Sequence, residues 1–172
     1  MLSLAQRLRM GHIGRWHMVR THREQTLAEH VALVQLIALD VAARFAPGDR
    51  RLERQVMEWA LWHDMPEVVM GDISPPFKTM LGYRYPTLLA EIEDGLDATY
   101  VRIRRETGEI ADLIVKFADL LEARNFICVE GVGRRAREIT LDIEQSIDEL
   151  VGGIELIPGL VDAMKSTRKE IQ

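Results

Sequence analysis

Apolar residues recur at three- and four-residue spacing through most of this chain, and no stretch alternates strictly, so the period argues for helices throughout and an all-α protein. Thr26 followed by Glu29 is a capping-box signature, in which each side chain satisfies an orphan amide at the other's end, and it opens a helical run from Leu27 to Phe45. Pro47-Gly48 closes that run. A further helix is expected from about Arg51 to His63, with Val56, Trp59, Ala60 and His63 on one face. Pro66, Gly71, Pro75 and Pro76 then interrupt the pattern, so residues 65–86 should be short helical turns and loop. Pro86 suits the first turn of a helix ending near Gly108. Ile110 to Val129, Arg135 to Val151 and a short segment after Pro158 complete the set, with Gly131-Val132-Gly133 and Gly152-Gly153 as turns. The expectation is about six to eight helices in one domain over residues 1–172, since a domain of roughly 150 residues buries about 70% of its extended-chain surface.

Composition removes several function classes. A net charge of −5 argues against a broad surface for a nucleic-acid polymer, which needs a basic field. No apolar run approaches the ~18 residues needed to cross a bilayer, and Met1 to Arg7 hold too short an apolar stretch for a secretory signal, so no membrane partner and a cytoplasmic setting are expected. Cys128 is the only cysteine; no intrachain disulfide can form, and its place among Phe126, Ile127 and Val129 suggests a small core residue. Gly131-Val132-Gly133-Arg134-Arg135-Ala136 has the glycine spacing of a dinucleotide fingerprint, but a helical pattern precedes it where that fingerprint requires a strand.

Chemistry is concentrated in a few polar residues on apolar faces. His63 and Asp64 stand together at the end of the run Val56 to Leu61-Trp62. His30 falls between Leu27 and Val34 on the inward face of the Leu27 to Phe45 helix, and a buried imidazole needs a partner. Asp119 has Val115 one turn before it and Ala123 one turn after, and a buried carboxylate without a compensating charge is costly. Singly, each has an ordinary explanation: a hydrogen-bonded core histidine, an ion-pair partner of an arginine, a helix end. A divalent cation satisfies all of them together. Neighbouring residues of a regular helix point about 100° apart, but Pro66 biases Met65 away from helical geometry, so the doublet should sit where the helix ends and both side chains can turn to one ion. Mixed nitrogen and oxygen donors suit one divalent transition metal, Co, Mn, Zn, Ni or Fe, better than Mg or Ca.

Arg15-Trp16, Ala28-Glu29-His30, His63-Asp64 with Glu67, Gly71-Asp72 with Pro75 and Lys78, and Ala118-Asp119 occur here in the order and at spacings similar to those of the HD-domain metal-dependent phosphohydrolases. The ordered set resembles the 5′-deoxynucleotidase (YfbR-like) branch, which small phage dATP triphosphohydrolases also resemble. That resemblance implies an HD-domain helical bundle in which His30, His63, Asp64 and Asp119 are the metal ligands, with open positions for water and a phosphate oxygen. It implies that Glu67 is the acid/base carboxylate beside Asp64, that Arg15 clamps phosphate and that Lys78 adds a second positive contact. Trp16 would wall the sugar or stack on the base, and the Asp72-Ile73-Ser74-Pro75 loop would hold the sugar, the Asp72 carboxylate accepting from the 3′-hydroxyl. His17 departs from the branch, which often has proline there. The remaining histidines, His12, His17 and His22, lie near the N-terminus, so one metal is expected.

The resemblance implies an enzyme acting on a small-molecule deoxynucleotide. The first expectation is hydrolysis of a deoxynucleoside monophosphate to deoxynucleoside and phosphate. The alternative is release of triphosphate from dATP or another dNTP, with Arg15, Arg20, Arg23 and Lys78 supplying the extra positive charge. A catalytically silent nucleotide-binding regulator is a third reading, disfavoured by the retention of all four ligand residues and Glu67. Apolar helices after residue 86 exceed what a metal site needs covered, consistent with a homo-oligomer, a dimer or larger.

Overall fold

Two long helices supply the frame onto which the rest packs. The structure, a computed structural model, describes residues 2–84, 87–154 and 156–171. A first turn, α1 (Leu4–Arg7), runs into a 3-10 segment (Leu8–His12). Then come α2 (Leu27–Phe45), α3 (Arg50–Trp62), α4 (Glu67–Met70), α5 (Pro75–Arg84), α6 (Leu88–Leu96), α7 (Ala98–Glu106), α8 (Glu109–Glu130), α9 (Arg134–Gly153) and α10 (Pro158–Ile171). The protein is the all-α helical bundle expected: among the described residues there is no strand, only isolated bridges Gly14 to Thr26 and Thr21 to Gly131.

Helix α2 starts at Leu27 because the Thr26 hydroxyl accepts the Glu29 amide at 3.2 Å. The reciprocal half of the capping box is missing: the Glu29 carboxylate is held by Arg23 at 2.7 and 3.0 Å, a stronger partner than a backbone amide. Leu27, Val34, Ala38 and Val41 line the buried stripe of α2, and Ile114, Phe117 and Leu121 do the same for α8, all without exposed surface. Helices α3, α9 and α10 close the bundle through Val56, Ile147, Leu160 and Met164, each fully buried. Burial of side chains this size is worth about 1.5 to 3 kcal/mol apiece. It is this stripe-on-stripe packing that brings the polar residues of α2 and α8 face to face.

The structure corrects four local expectations. The region before Gly108 is two helices rather than one: Asp97 is extended (φ −149°, ψ 121°), ends α6 and caps α7 by accepting the Thr99 amide at 2.7 Å. Residues 75–84 form a ten-residue helix because Pro75 and Pro76 fall in its first turn, where proline costs nothing. Pro86 lies outside the described residues. Gly152 and Gly153 are the last residues of α9, with the break just after them. Cys128 is exposed: α8 buries Phe126 and Ile127, and the residue after them turns to solvent with Val129.

The segment between the 3-10 turn and α2 is a loop clasped at both ends. Arg15 N donates to Gln25 O at 2.9 Å and Leu27 N to Ile13 O at 2.9 Å, closing it on itself. His22 N donates to Glu130 O and Val132 N to Arg20 O, each at 2.8 Å, which pins its tip to the end of α8. Gly131 makes that junction possible: a Cβ there would lie 2.3 Å from the Ile127 carbonyl oxygen and 2.7 Å from the Ala136 Cβ. Among the described residues, no helix is long and apolar enough to cross a membrane.

Candidate metal centre

Three segments deliver the four ligand candidates. His30 sits one turn into α2 and has no exposed surface. His63 is the C-cap of α3, and after it the chain tightens into three-residue turns, Met65 N to Trp62 O and Glu67 N to Asp64 O, both at 3.0 Å. That departure from regular helix lets His63 and Asp64 face one point, as expected for a doublet at a helix end. Asp119 projects from the middle of α8 and its side chain is 37% exposed, so the cluster has an open side.

One ligand atom from each of His30, His63, Asp64 and Asp119 lies within 4.8 Å of the others, close to the roughly 4 Å that separates two ligands on opposite sides of a transition-metal ion. Asp64 Oδ2 is 3.4 Å from both histidine Nε2 atoms, and His30 Nε2 is 3.1 Å from Asp119 Oδ1. Despite that proximity, the buried Nε2 atoms of His30 and His63 make no properly directed hydrogen bond. His63 Nδ1–H donates to the Ala60 carbonyl at 2.8 Å, which leaves Nε2 with its lone pair. The residues therefore fit a divalent cation: two imidazole nitrogens and two carboxylates converge on one point.

Electrostatics state the same need. Burial by itself depresses the His30 pKa and Arg15 depresses it further, yet the nearby carboxylates Asp119, Asp64 and Glu122 raise it to about 10. Burial disfavours ionised Asp64, but His63, His30 and Arg15 hold its carboxyl well below the usual carboxylate range. Asp119 is lowered too, against desolvation, chiefly by its contact with His30. Carboxylates that keep their charge and pull a proton onto a buried imidazole form a cation site.

Glu67 begins α4 and is 5% exposed, not a surface carboxylate. Burial and the neighbouring Asp64 charge raise its pKa to about 7, although Lys78 Nζ donates to its Oε1 at 2.9 Å. Its other oxygen, Oε2, is buried without a partner. His63, Asp64, Glu67, Ile73 and Lys78 line a cavity of about 20 Å³, room for about one water. Arg15 reaches the same place, its guanidinium 3.2 Å from Asp64 Oδ2, and is raised further above the usual arginine range, the pull of Asp64, Asp119 and Glu67 exceeding the cost of burial.

Trp16 has a positive φ of 66°, rare for a residue with a side chain and a strain that persists only where the surroundings impose it. Here they do: Asp72 Oδ2 accepts its amide at 3.2 Å, and its ring stacks on Phe126 with centroids 5.9 Å apart. The Asp72 carboxylate also lies 3.4 Å from His17 Nδ1, so the strained residue and the one that departs from the branch share a partner. Ser74 carries the start of α5, its carbonyl accepting from Phe77 and Lys78 amides. The side chain of Pro75 lies outside the described residues. Arg23 is committed elsewhere, paired with Glu29 and Glu130 and lying over the Phe126 ring.

Two residues of the site escape sequence reasoning. Glu122, 2% exposed, takes His30 Nδ1 on one oxygen and the Gln25 amide on the other. It lies one helical turn beyond Asp119 among Leu121 and Ala123, so it stands out on the same grounds as Asp119 and could have been found by them. Gln25, fully buried in the clasped loop, carries no such signal.

Comparison with known proteins adds three findings. A family model for YfbR-like 5′-deoxynucleotidases matches residues 4–150. A dATP triphosphohydrolase of cyanophage S-2L is 35% identical over 134 residues, 78% of this chain and 74% of that protein. dATP triphosphohydrolases of Salmonella phage PMBT28 and Acinetobacter phage SH-Ab 15497 are 33% and 32% identical, over 75% and 70% of this chain and 68% and 64% of theirs. In three dimensions the chain is similar to the cyanophage S-2L HD phosphohydrolase solved with dA and one catalytic Zn²⁺ ion: TM-score 0.86, 29% identity, 99% of this chain and 98% of that one.

Proposed function

This chain belongs to the YfbR-like 5′-deoxynucleotidase family of HD-domain phosphohydrolases, and from that premise we propose that it hydrolyses a deoxynucleoside triphosphate, dATP first, to deoxynucleoside and triphosphate. The observation that carries the preference for the triphosphate is that three relatives at 32 to 35% identity, from three different phages, are all dATP triphosphohydrolases. The monophosphate reading, first on sequence grounds, keeps the support of the family's description. The site's chemistry serves either.

His30, His63, Asp64 and Asp119 hold the divalent ion in this reading. When bound, such an ion acidifies water and offsets negative charge on the phosphoryl oxygens. The rest falls to the chain's own residues. Arg15 supplies permanent positive charge to the phosphate, and Lys78 adds a second cation while orienting Glu67. Glu67 Oε2, unpartnered beside room for one water, takes the proton as that water attacks the α-phosphorus. The bond from phosphorus to O5′ breaks, and the proton passes to O5′ as the deoxynucleoside leaves. Burial keeps the Glu67 carboxyl above its ordinary range, toward the neutral pH at which a group can accept and then give up a proton. Trp16, with Asp72, Ile73, Ser74 and Pro75, walls the sugar and disfavours a 2′-hydroxyl. With Arg23 tied to two glutamates, Arg15, Lys78 and exposed Arg20 are the cations left of the four considered for a triphosphate.

Residues 1–172 act as one domain in this reading, supported by a core that runs from Leu2 to Met164. Exposed Leu33, Leu36, Met57 and Leu61 on neighbouring α2 and α3 support self-association, and a stable monomer in sedimentation at micromolar concentration would end that part. The activity test is to incubate the chain with Mn²⁺, Co²⁺ or Zn²⁺ and dATP, dAMP, ATP or dGTP and follow products by ³¹P NMR. Triphosphate released in equal amount with deoxyadenosine is expected. Orthophosphate from dAMP with dATP untouched would return the monophosphate reading, and bound metal with no product would favour the silent regulator.

A further inference from the structure

Four polar groups from three segments form one unbranched hydrogen-bond chain. Trp16 Nε1 meets Gln25 Oε1 at 2.8 Å, Gln25 Nε2 meets Glu122 Oε1 at 2.6 Å, and Glu122 Oε2 meets His30 Nδ1 at 2.5 Å. Gln25 and His30 have no exposed surface and Glu122 has 2%, so a mismatch along the chain has no solvent to relieve it.

Its polarity is set from the Trp16 end. An indole nitrogen only donates, so Gln25 must turn its carbonyl to Trp16 and its amide to Glu122. The Glu122 carboxylate then accepts on both oxygens, and His30 must carry a proton on Nδ1. What remains for a metal is Nε2, the atom that already lies beside Asp64 and Asp119.

We infer that Trp16, Gln25 and Glu122 act as one positioning device: they lock His30 with its proton on Nδ1 in the metal-loaded protein, and by the same bonds they lock the Trp16 indole in place. Metal affinity and the shape of the sugar wall thus depend on a single ordered set of donors and acceptors. The second half rests on the function proposed above; the first needs only the metal. His63 is fixed differently, by a backbone carbonyl that no side-chain substitution can invert. His30 is the ligand whose presentation can be changed by mutation at a distance.

The order of the chain supplies its test. Glu122→Gln preserves shape but introduces a donor where two donors already point. The mismatch must surface at Trp16, or else His30 must move its proton to Nε2 and away from the metal. The swap Gln25→Glu with Glu122→Gln restores every match. Trp16 and the amide introduced at position 122 would both donate to the carboxylate introduced at position 25, and the oxygen of that amide would accept from His30. Net charge is unchanged.

Two readouts apply: Co²⁺ affinity by competition with a chromogenic chelator, and the Trp16 indole resonance in a ¹⁵N–¹H spectrum, assigned by its loss in Trp16→Phe. Glu122→Gln should lower Co²⁺ affinity by about 10- to 100-fold or move the indole resonance, and the swap should restore most of whichever was lost. A single variant that changes neither, or a swap no better than the single variant while both unfold cooperatively, overturns the inference. Should Glu122→Gln not fold, Gln25→Leu serves instead. It cuts Trp16 loose while leaving Glu122 on His30, so the indole must move and discrimination of dATP from ATP must fall through KM. An unmoved indole overturns the inference. Neither spectroscopic readout requires turnover, so a chain inert toward dATP whose swap still rescues defeats the function and leaves this device standing.

Discussion

Asp97 and Asp64 are both sequestered carboxylates with an arginine alongside, and the protein completes one and not the other. Asp97, with a side chain 1% exposed, accepts the Leu2 amide at 2.8 Å, the Thr99 amide at 2.7 Å and the Arg7 guanidinium at 3.3 Å. The carboxylate's own demands are met from within, although the Arg7 Nε beside it is buried without a partner, and the result ties the N-terminal segment to the start of α7. Asp64 has Arg15, His30 and His63 around one oxygen, but the two imidazole nitrogens facing it are buried and unpartnered. A buried charge does not by itself mark function, since structural ion pairs bury charge as well. The mark is several unfinished groups gathered at one place, His30 Nε2, His63 Nε2 and Glu67 Oε2 around Asp64, where the Asp97 site leaves the Arg7 Nε alone.

The largest effect that could break this contrast is at the unfinished site. Asp64→Ala should lose the metal and with it at least about 10³-fold in deoxynucleotide hydrolysis, the several kcal/mol a Lewis-acid ion supplies. Elemental analysis finding that variant still fully loaded would show the ligand assignment to be wrong. Next, Glu67→Gln should keep its ion and lose roughly 10² to 10⁴ in kcat, as expected for removal of a general base. Metal loss there would make Glu67 a ligand instead.

At the finished site the effect should be on stability alone. Asp97→Ala leaves the Leu2 and Thr99 amides and Arg7 without their acceptor, at a cost of about 1 to 3 kcal/mol in urea unfolding, with metal content intact. A matching loss of metal would join the two regions into one and cancel the contrast.

The last effects are in pH, and they have opposite sign. Backbone and Arg7 contacts hold Asp97 below its ordinary 3.8 in spite of burial. Its contribution is therefore present above that pH and is lost as pH falls through the depressed value, so Asp97→Asn should flatten the acid limb of stability. Glu67 runs the other way in metal-free protein. Between its ordinary 4.5 and about 7 the folded state binds more protons than the unfolded, so stability falls as pH rises through that window. Urea midpoints across that range in the presence of chelator should lose the slope in Glu67→Gln; an unchanged slope would assign it to another group.

Much of the molecule was readable in advance because its causes are local. The period of Leu27 to Phe45, its Thr26 cap and the Pro47-Gly48 stop place α2 to the residue, and the same logic finds α8 and α9 within a residue or two. His30, His63, Asp64 and Asp119 could be singled out because a polar residue on an apolar stripe is an anomaly visible in one dimension. The failures have causes that are not local. Asp97 breaks a helix because an amide and a guanidinium some 90 positions away need an acceptor there. Cys128 faces solvent because it falls on the exposed side of α8 with Val129, although Phe126 and Ile127 just before it are buried.

The amino-acid order alone determined the helical class, the main helix boundaries and which ionisable residues would be costly to bury, since periodicity, caps and desolvation act within a few turns. Tertiary structure alone decided that Glu122 meets His30 across 92 positions, that Gln25 carries the contact on to Trp16, and that Glu67 keeps one oxygen free. The physical reason is that a hydrogen bond is made or lost over fractions of an ångström. Such distances between segments far apart in the chain are set by how α2, α8 and the clasped loop pack, and by nothing that can be read along any one of them.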